Sequence, residues 1–296
     1  MGIVGSTAKF LLHARKGGVD FTNLLMLGRQ QIFIDDSEHA VLEARQPGIT
    51  STISEIGAFS EPFFYALGSK EIDSLDYSTF EKATVIHDLN TPISDAMRNR
   101  YSLVFDGGTL EHVFNYPVAI KNCMDMACVG GHVILVTPAN NFCGHGFYQF
   151  SPELFFSLFT EQHGFKIEQV LLLAEPEGRA EYWYSVKDPS HFKRRVTFVN
   201  DCQTTVLVLA RKTRDTSDIS LRPMQSDYAH LWAVHNSISD DVAIAGESKL
   251  LHFYRTRTPE WIKRIVRTIV GSLKSKEKRV TGLGHVNPDF FERIEL

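Results

Sequence analysis

Three aspartates, Asp76, Asp88 and Asp106, each stand at the end of a short apolar run. A carboxylate so placed can accept two hydrogen bonds from the vicinal hydroxyls of a ribose, and another can accept from the exocyclic amine of an adenine. Asp76 suits the first task and Asp88, in His87-Asp88-Leu89-Asn90, the second. The plainer use of Asp in such places is to stop strands and cap helices, although three in succession are harder to assign to that alone. Groups able to handle a proton follow. Glu111 and His112 come soon after Asp106 and a glycine pair; His145 lies between Gly144 and Gly146, with Phe147, Tyr148 and Phe150 beside it. Flanking glycines let a loop bring an imidazole close to a ligand, and the rings could wall off solvent. His145 is therefore the first candidate for a general base and His112 the second, with Asp106 able to orient either ring. Glu111, Asn140, Asn141, Tyr148 and Gln149, together with Tyr182 and Trp183, suit a polyhydroxylated acceptor, or else serve in turns and a solvated hairpin.

Such residues act together only if the chain brings them to one edge. Between about residue 20 and residue 210, short apolar runs alternate with longer amphipathic segments, the pattern of a parallel sheet flanked by helices. Strands are expected at 21–27, 71–75, 83–86, 101–105, 132–136, 166–173 and 204–210. In an open α/β sheet, ligands bind beyond the carboxyl ends of the strands, where Gly28, Asp76, Asp88, Asp106 and Thr137 fall. Helices are expected at 55–67, 117–126 and 152–163, the last opened by Ser151 with Pro152 at its first position, and a loop-rich stretch at 28–52. From about Lys212 the alternation stops. The reading is thus a domain over 1–211, with an aromatic and basic insertion at 179–195, and an extension over 212–296 that is mostly helical or irregular.

Composition limits the classes further. The 296 residues carry 35 acidic and 31 basic side chains, a net charge of −4, so no broad nucleic-acid-binding charge is present and no nucleic-acid partner is expected. Four cysteines without CxxC spacing read as thiols of a reducing compartment. No apolar run approaches about 18 residues, which predicts a cytoplasmic chain rather than an exported or membrane-spanning one. One segment departs from the average: 255–279 holds nine Lys or Arg against two Glu, +7 in a chain whose remainder is −11. An amphipathic helix at 258–274 would pack on the main domain, adsorb peripherally to an anionic membrane, or meet nucleic acid.

The block YSLVFDGGTLEHVFNYPVAIKNCMDMACVGGHVILVTPANN, residues 101–141, resembles the second half of class I S-adenosylmethionine-dependent methyltransferases. In that family a strand ending in Asp leads to a Leu-Glu-His turn, a helix, a Gly-Gly turn and a strand ending near Thr-Pro. The Phe-Ser-Pro-Glu helix of 150–153, leading to Gly164-Phe165, resembles the next segment. The resemblance spans roughly 20–210 and implies a Rossmann-like, seven-stranded, mostly parallel sheet. It also implies S-adenosylmethionine as cofactor, with S-adenosylhomocysteine as product, held by Gly28, Arg29, Asp76, Tyr77, Asp88, Leu89, Asp106 and Gly107. The departure is at the first strand, where LMLGRQQIF replaces the family's glycine-rich turn.

The resulting expectation is O-methylation of a sugar or glycan-like small molecule, assisted by histidine. Methylation of a lipid, natural product or other oxygen or nitrogen nucleophile is one alternative, and a noncatalytic binding domain another. A nicotinamide redox enzyme would suit the sheet but lacks GxGxxG after the first strand. Asp106 could ligate a divalent ion. Without a metal-spaced His/Asp cluster in the sequence, that use is not favoured and no metal ligands are assigned.

Overall fold

The structure, a computed structural model, describes residues 2–53, 55–192, 197–215, 219–237 and 286–296. Strand β1, Gly2–Val4, runs directly into helix α1, Gly5–Lys16, whose last turn carries His13, Arg15 and Lys16 at the negative end of the helix dipole. Strand β2, Asn23–Leu27, precedes β3, Gln31–Phe33, which pairs in parallel with β1 outside the main sheet. Helix α2, Asp36–Arg45, lies within the stretch expected to be loop. A capping box of Asp35 and Glu38 opens it, but Leu42 is its single buried residue, so an apolar period scarcely exists in its sequence. Helix α3 is Glu61–Ala66, shorter than the expected 55–67 because Pro62 sits in its first turn.

The remaining strands are β4, Glu71–Asp76; β5, Val85–Ile86; β6, Tyr101–Asp106; β7, Ala127–Asn140; β8, Phe165–Glu175; β9, Tyr182–Val186; β10, Gln203–Lys212; and β11, Phe291–Ile294. Helix α4, Tyr116–Met126, joins β6 to β7; α5, Pro152–Leu158, joins β7 to β8; and α6, Ser226–Ser237, follows β10. The sheet order is β11-β9-β8-β10-β7-β6-β2-β4-β5. From β5 to β7 all neighbours are parallel, and β10 is inserted antiparallel between β7 and β8. The seven expected strands are thus present in a Rossmann-like arrangement.

Two strands extend it to nine. Residues 182–186, within the insertion expected at 179–195, form β9, and the tail expected to be helical or irregular ends in β11, antiparallel to β9. Tail residues Phe290 and Phe291 are buried in the core, which is where their apolar surface is most stable. Lys193 to Arg195 and the basic segment 258–274 lie outside the described residues.

Alternation along the strands divides the core. Leu25, Leu27, Val104, Val133 and Leu135 face one side with α4 and α5, while Leu24, Met26, Leu103, Phe105 and Ile134 face the other with α1 and α3. All six residues of β6 are buried, as a central strand covered on both faces requires. Among the described residues no helix is long and apolar enough to cross a membrane.

Candidate active site

The chain leaves β2 toward β4 and β5 on one side and returns to β6 and β7 on the other. The crevice at the carboxyl ends of β2 and β6 is therefore the switch point at which such sheets take ligands. Register makes the edge level: Leu27 pairs with both Leu75 and Asp106, and Asp76 pairs with Ile86. A cavity of about 310 Å³ lies on this edge, lined by Asp76, Tyr77, Asp88, Leu89, Thr109 and His112 among others. That volume is at the lower end of small-molecule sites, roughly 300–1,000 Å³.

The two outer aspartates serve turns as well as the cavity. Asp76 Oδ1 accepts from the Ser78 amide at 3.1 Å; Asp88 Oδ1 accepts from the backbone and side-chain amides of Asn90 at 2.9 and 2.8 Å. These Asn90 bonds, the backbone one first, hold the Asp88 carboxyl below its ordinary range. The second oxygen of each acid has no hydrogen-bond partner among the described residues. Tyr77 is exposed beside them, and Leu89 is buried under the cavity.

The turn after β2 is unusual in how it is filled. Gly28 has φ +66° and donates its amide to Leu75 O at 2.8 Å. Arg29 is committed away from the cavity: it donates to Glu61 at 2.6 Å and to Glu81 O at 3.1 Å, and its guanidinium lies 3.7 Å from the Phe59 ring centroid. Gln30 is fully buried and donates to Leu27 O at 2.6 Å. A Cβ on Gly107 would stand 2.8 Å from Gln30 Oε1, so Gln30 occupies the room that Gly107 leaves.

Asp106 is fully buried beneath the cavity rather than lining it. Its Oδ1 accepts from the Thr109 amide at 2.8 Å, while the Thr109 hydroxyl donates to Leu27 O at 2.7 Å and ties the loop back to β2. Burial, then the nearby charge of Glu111, pushes the Asp106 carboxyl well above its ordinary value. Asp106 Oδ2 and Gln30 Oε1 are both buried without a hydrogen-bond partner among the described residues. Two orphaned oxygens at the floor of one crevice are a costly arrangement for the protein alone.

Glu111 and His112 sit on the short 3₁₀ turn Leu110–His112. Glu111 is buried, accepts from the Thr137 hydroxyl at 3.1 Å, and has its carboxyl raised chiefly by desolvation. Its backbone carbonyl accepts from Phe147 and Tyr148 at 2.8 and 3.3 Å, which clasps the loop after β7 onto the loop after β6. Gly146 lies inside that clasp with φ +69°, and a Cβ there would stand 2.9 Å from Glu111 O. The clasp delivers His145 Nε2 to 3.6 Å from Glu111 Oε1, with the His112 and His145 rings 5.2 Å apart. Exposed Phe114 and Phe147 pack edge to face alongside.

The residues assigned to an acceptor divide. Asn140 and Gln149 line a second cavity of about 390 Å³ with Phe150, Glu153 and Phe198. Both amides also work internally, Asn140 donating to Asn200 and Gln149 accepting from the Phe142 amide. Asn141, at φ +61°, is a turn residue bonded to Asn200 and Cys202. Tyr148 donates to Phe114 O at 2.7 Å. Tyr182 lies under the Arg293 guanidinium and Trp183 is buried with its indole N–H on Glu181; neither lines these cavities. Sequence reasoning overlooked Thr109, although an Asp followed three residues later by a hydroxyl residue is an ordinary loop-closing signal.

The sequence matches no protein-family model and no curated protein. Its structure is similar to that of the 1,6-didemethyltoxoflavin-N1-methyltransferase of Burkholderia thailandensis with bound S-adenosylhomocysteine, at 12% identity over 71% of this chain and 78% of that one, TM-score 0.39. It is also similar to the N-methyltransferase NodS of Bradyrhizobium japonicum, at 12% identity over 71% and 96%, TM-score 0.38. A third likeness is the branched-chain polyamine synthase of Thermus thermophilus in complex with 5'-methylthioadenosine, at 12% over 75% and 60%, TM-score 0.37. At such distances the chemistry rests on this chain's own residues.

Proposed function

We propose that the protein is an S-adenosylmethionine-dependent methyltransferase acting on a hydroxyl of a sugar or glycan-like small molecule. One observation supports this most: two carboxylates, Asp76 and Asp88, share a single cavity with His112 at the switch edge of the sheet. The donor, when bound, supplies a methyl carbon already activated by a cationic sulfur, so the protein has mainly to align, exclude water and manage one proton. Asp76 accepts from the ribose diol, and Asp88 with Leu89 holds the adenine end. Gly28 admits the methionine end past Gln30, which fills the room beside Gly107, and the buried Asp106 carboxyl lies beneath. His145, paired with Glu111, receives the acceptor proton, His112 being the neighbouring imidazole, and Phe114 and Phe147 shield the rim. The amides and rings of the second cavity suit a polyhydroxylated acceptor.

Calorimetry with S-adenosylhomocysteine tests this reading. One site is expected, and Asp76→Ala should weaken it at least tenfold, about 1.4 kcal/mol. His145→Ala should lower turnover more than cofactor affinity. No heat at millimolar ligand would leave a noncatalytic domain, and binding of NADH instead would make the chain a redox enzyme.

A further inference from the structure

We propose that Glu111, His112 and His145 bind a divalent first-row transition-metal ion beside the cavity that His112 lines. One ligand atom from each lies within 4.8 Å of the other two, the one such grouping among the described residues, and His145 Nε2 is 3.6 Å from Glu111 Oε1. Around a tetrahedral ion with bonds of about 2.0–2.1 Å, ligand atoms stand about 3.3 Å apart. The His145–Glu111 edge must therefore contract by about 0.3 Å and the other two by no more than about 1.5 Å, within reach of small rotations of the two exposed imidazoles about their side-chain bonds.

The donor set selects the class of ion. Two imidazoles and one carboxylate leave an open fourth position, the composition of catalytic zinc sites, whereas magnesium and calcium prefer oxygen alone. The anchor is built for the purpose. Thr137 holds Glu111 Oε2 at 3.1 Å, which fixes the carboxylate plane and leaves Oε1 toward the imidazoles. The clasp through Gly146 brings His145, 33 residues from His112 in sequence, to the same point. Burial of Glu111 opposes its ionisation, and its one ion-pair partner among the described residues is His145. A dication offsets the cost of burying such an acid.

The ion rests on the reading given above for its role and, when bound, replaces His145 as the agent that deprotonates the acceptor. An acceptor oxygen in the open position would have its proton acidity raised by the ion. Both imidazoles being ligands, the proton would then pass to water, and His145 would act as base only in metal-free protein.

The full chain, stripped with EDTA, is titrated with Co²⁺ by visible absorption and with Zn²⁺ and Mg²⁺ by calorimetry, no adenosyl ligand being present. One Co²⁺ or Zn²⁺ per chain is expected, with tetrahedral d–d bands and no heat from Mg²⁺. His112→Ala, His145→Ala and Glu111→Gln should each weaken binding at least tenfold. Cys143→Ser, which removes the exposed thiol near His145, should leave affinity unchanged and no thiolate charge-transfer band should appear. Absence of stoichiometric binding, or equal affinity in the His112→Ala/His145→Ala double variant, would overturn the site. Because the donor is absent, failure here leaves the S-adenosylhomocysteine result standing, and the reverse holds too.

Discussion

Asp106 has one oxygen on the Thr109 amide and the other without a partner among the described residues, in full burial. Its folded pKa lies well above its ordinary 3.8, so the native state keeps this proton to higher pH than the unfolded chain does. The stability linked to it is complete below 3.8 and is lost as pH rises toward the folded value. The ligand-free protein should therefore melt at progressively lower temperature as pH is raised out of the acid range. Asp106→Asn should flatten that slope and melt higher than wild type near neutrality, while turnover falls at least tenfold. Parallel melting profiles for the two proteins would show that the Asp106 charge is not the cause. At this scale the sequence was informative about type and less so about pose. Asp76 and Asp88 reach one cavity as their strand ends imply, but nothing in a sequence says that Arg29 turns to Glu61 or that Gln30 fills the space by Gly107.

Strands were the most legible elements, because covered parallel strands read as continuous apolar runs, as Leu24–Leu27 and Leu103–Phe105 do. Helix α2 was hidden because it buries almost nothing, β11 because it is an edge segment, and β9 because its pairing with β8 and β11 arises only through the fold. The meeting of Glu111 with His145 belongs to this scale too: it depends on two loops being clasped, which adjacent spacing cannot reveal. Gly146 is the clasp's weak point. Gly146→Ala places a side chain against Glu111 O at a φ that L residues avoid, at a cost of about 1–3 kcal/mol. The loop should swing away, so Gly146→Ala should reduce turnover and metal affinity at least tenfold with S-adenosylhomocysteine affinity within about threefold of wild type; a parallel loss of all three would mean that the clasp also supports the donor site.

For the whole molecule, what matters is that one sheet carries every proposed role. Its parallel half levels Gly28, Asp76, Asp88 and Asp106 at one edge, and its antiparallel half is covered by Phe290 and Phe291 from the tail. The level edge is what makes an adenosyl donor the fitting ligand, and a structure of the chain with S-adenosylhomocysteine tests that directly. The nucleoside is expected between Asp76 and Leu89, its ribose hydroxyls within hydrogen-bond distance of Asp76 and its sulfur on the side of Glu111 and His145. A ligand bound away from this edge at saturating concentration, or a crevice that stays closed by Gln30, would contradict it.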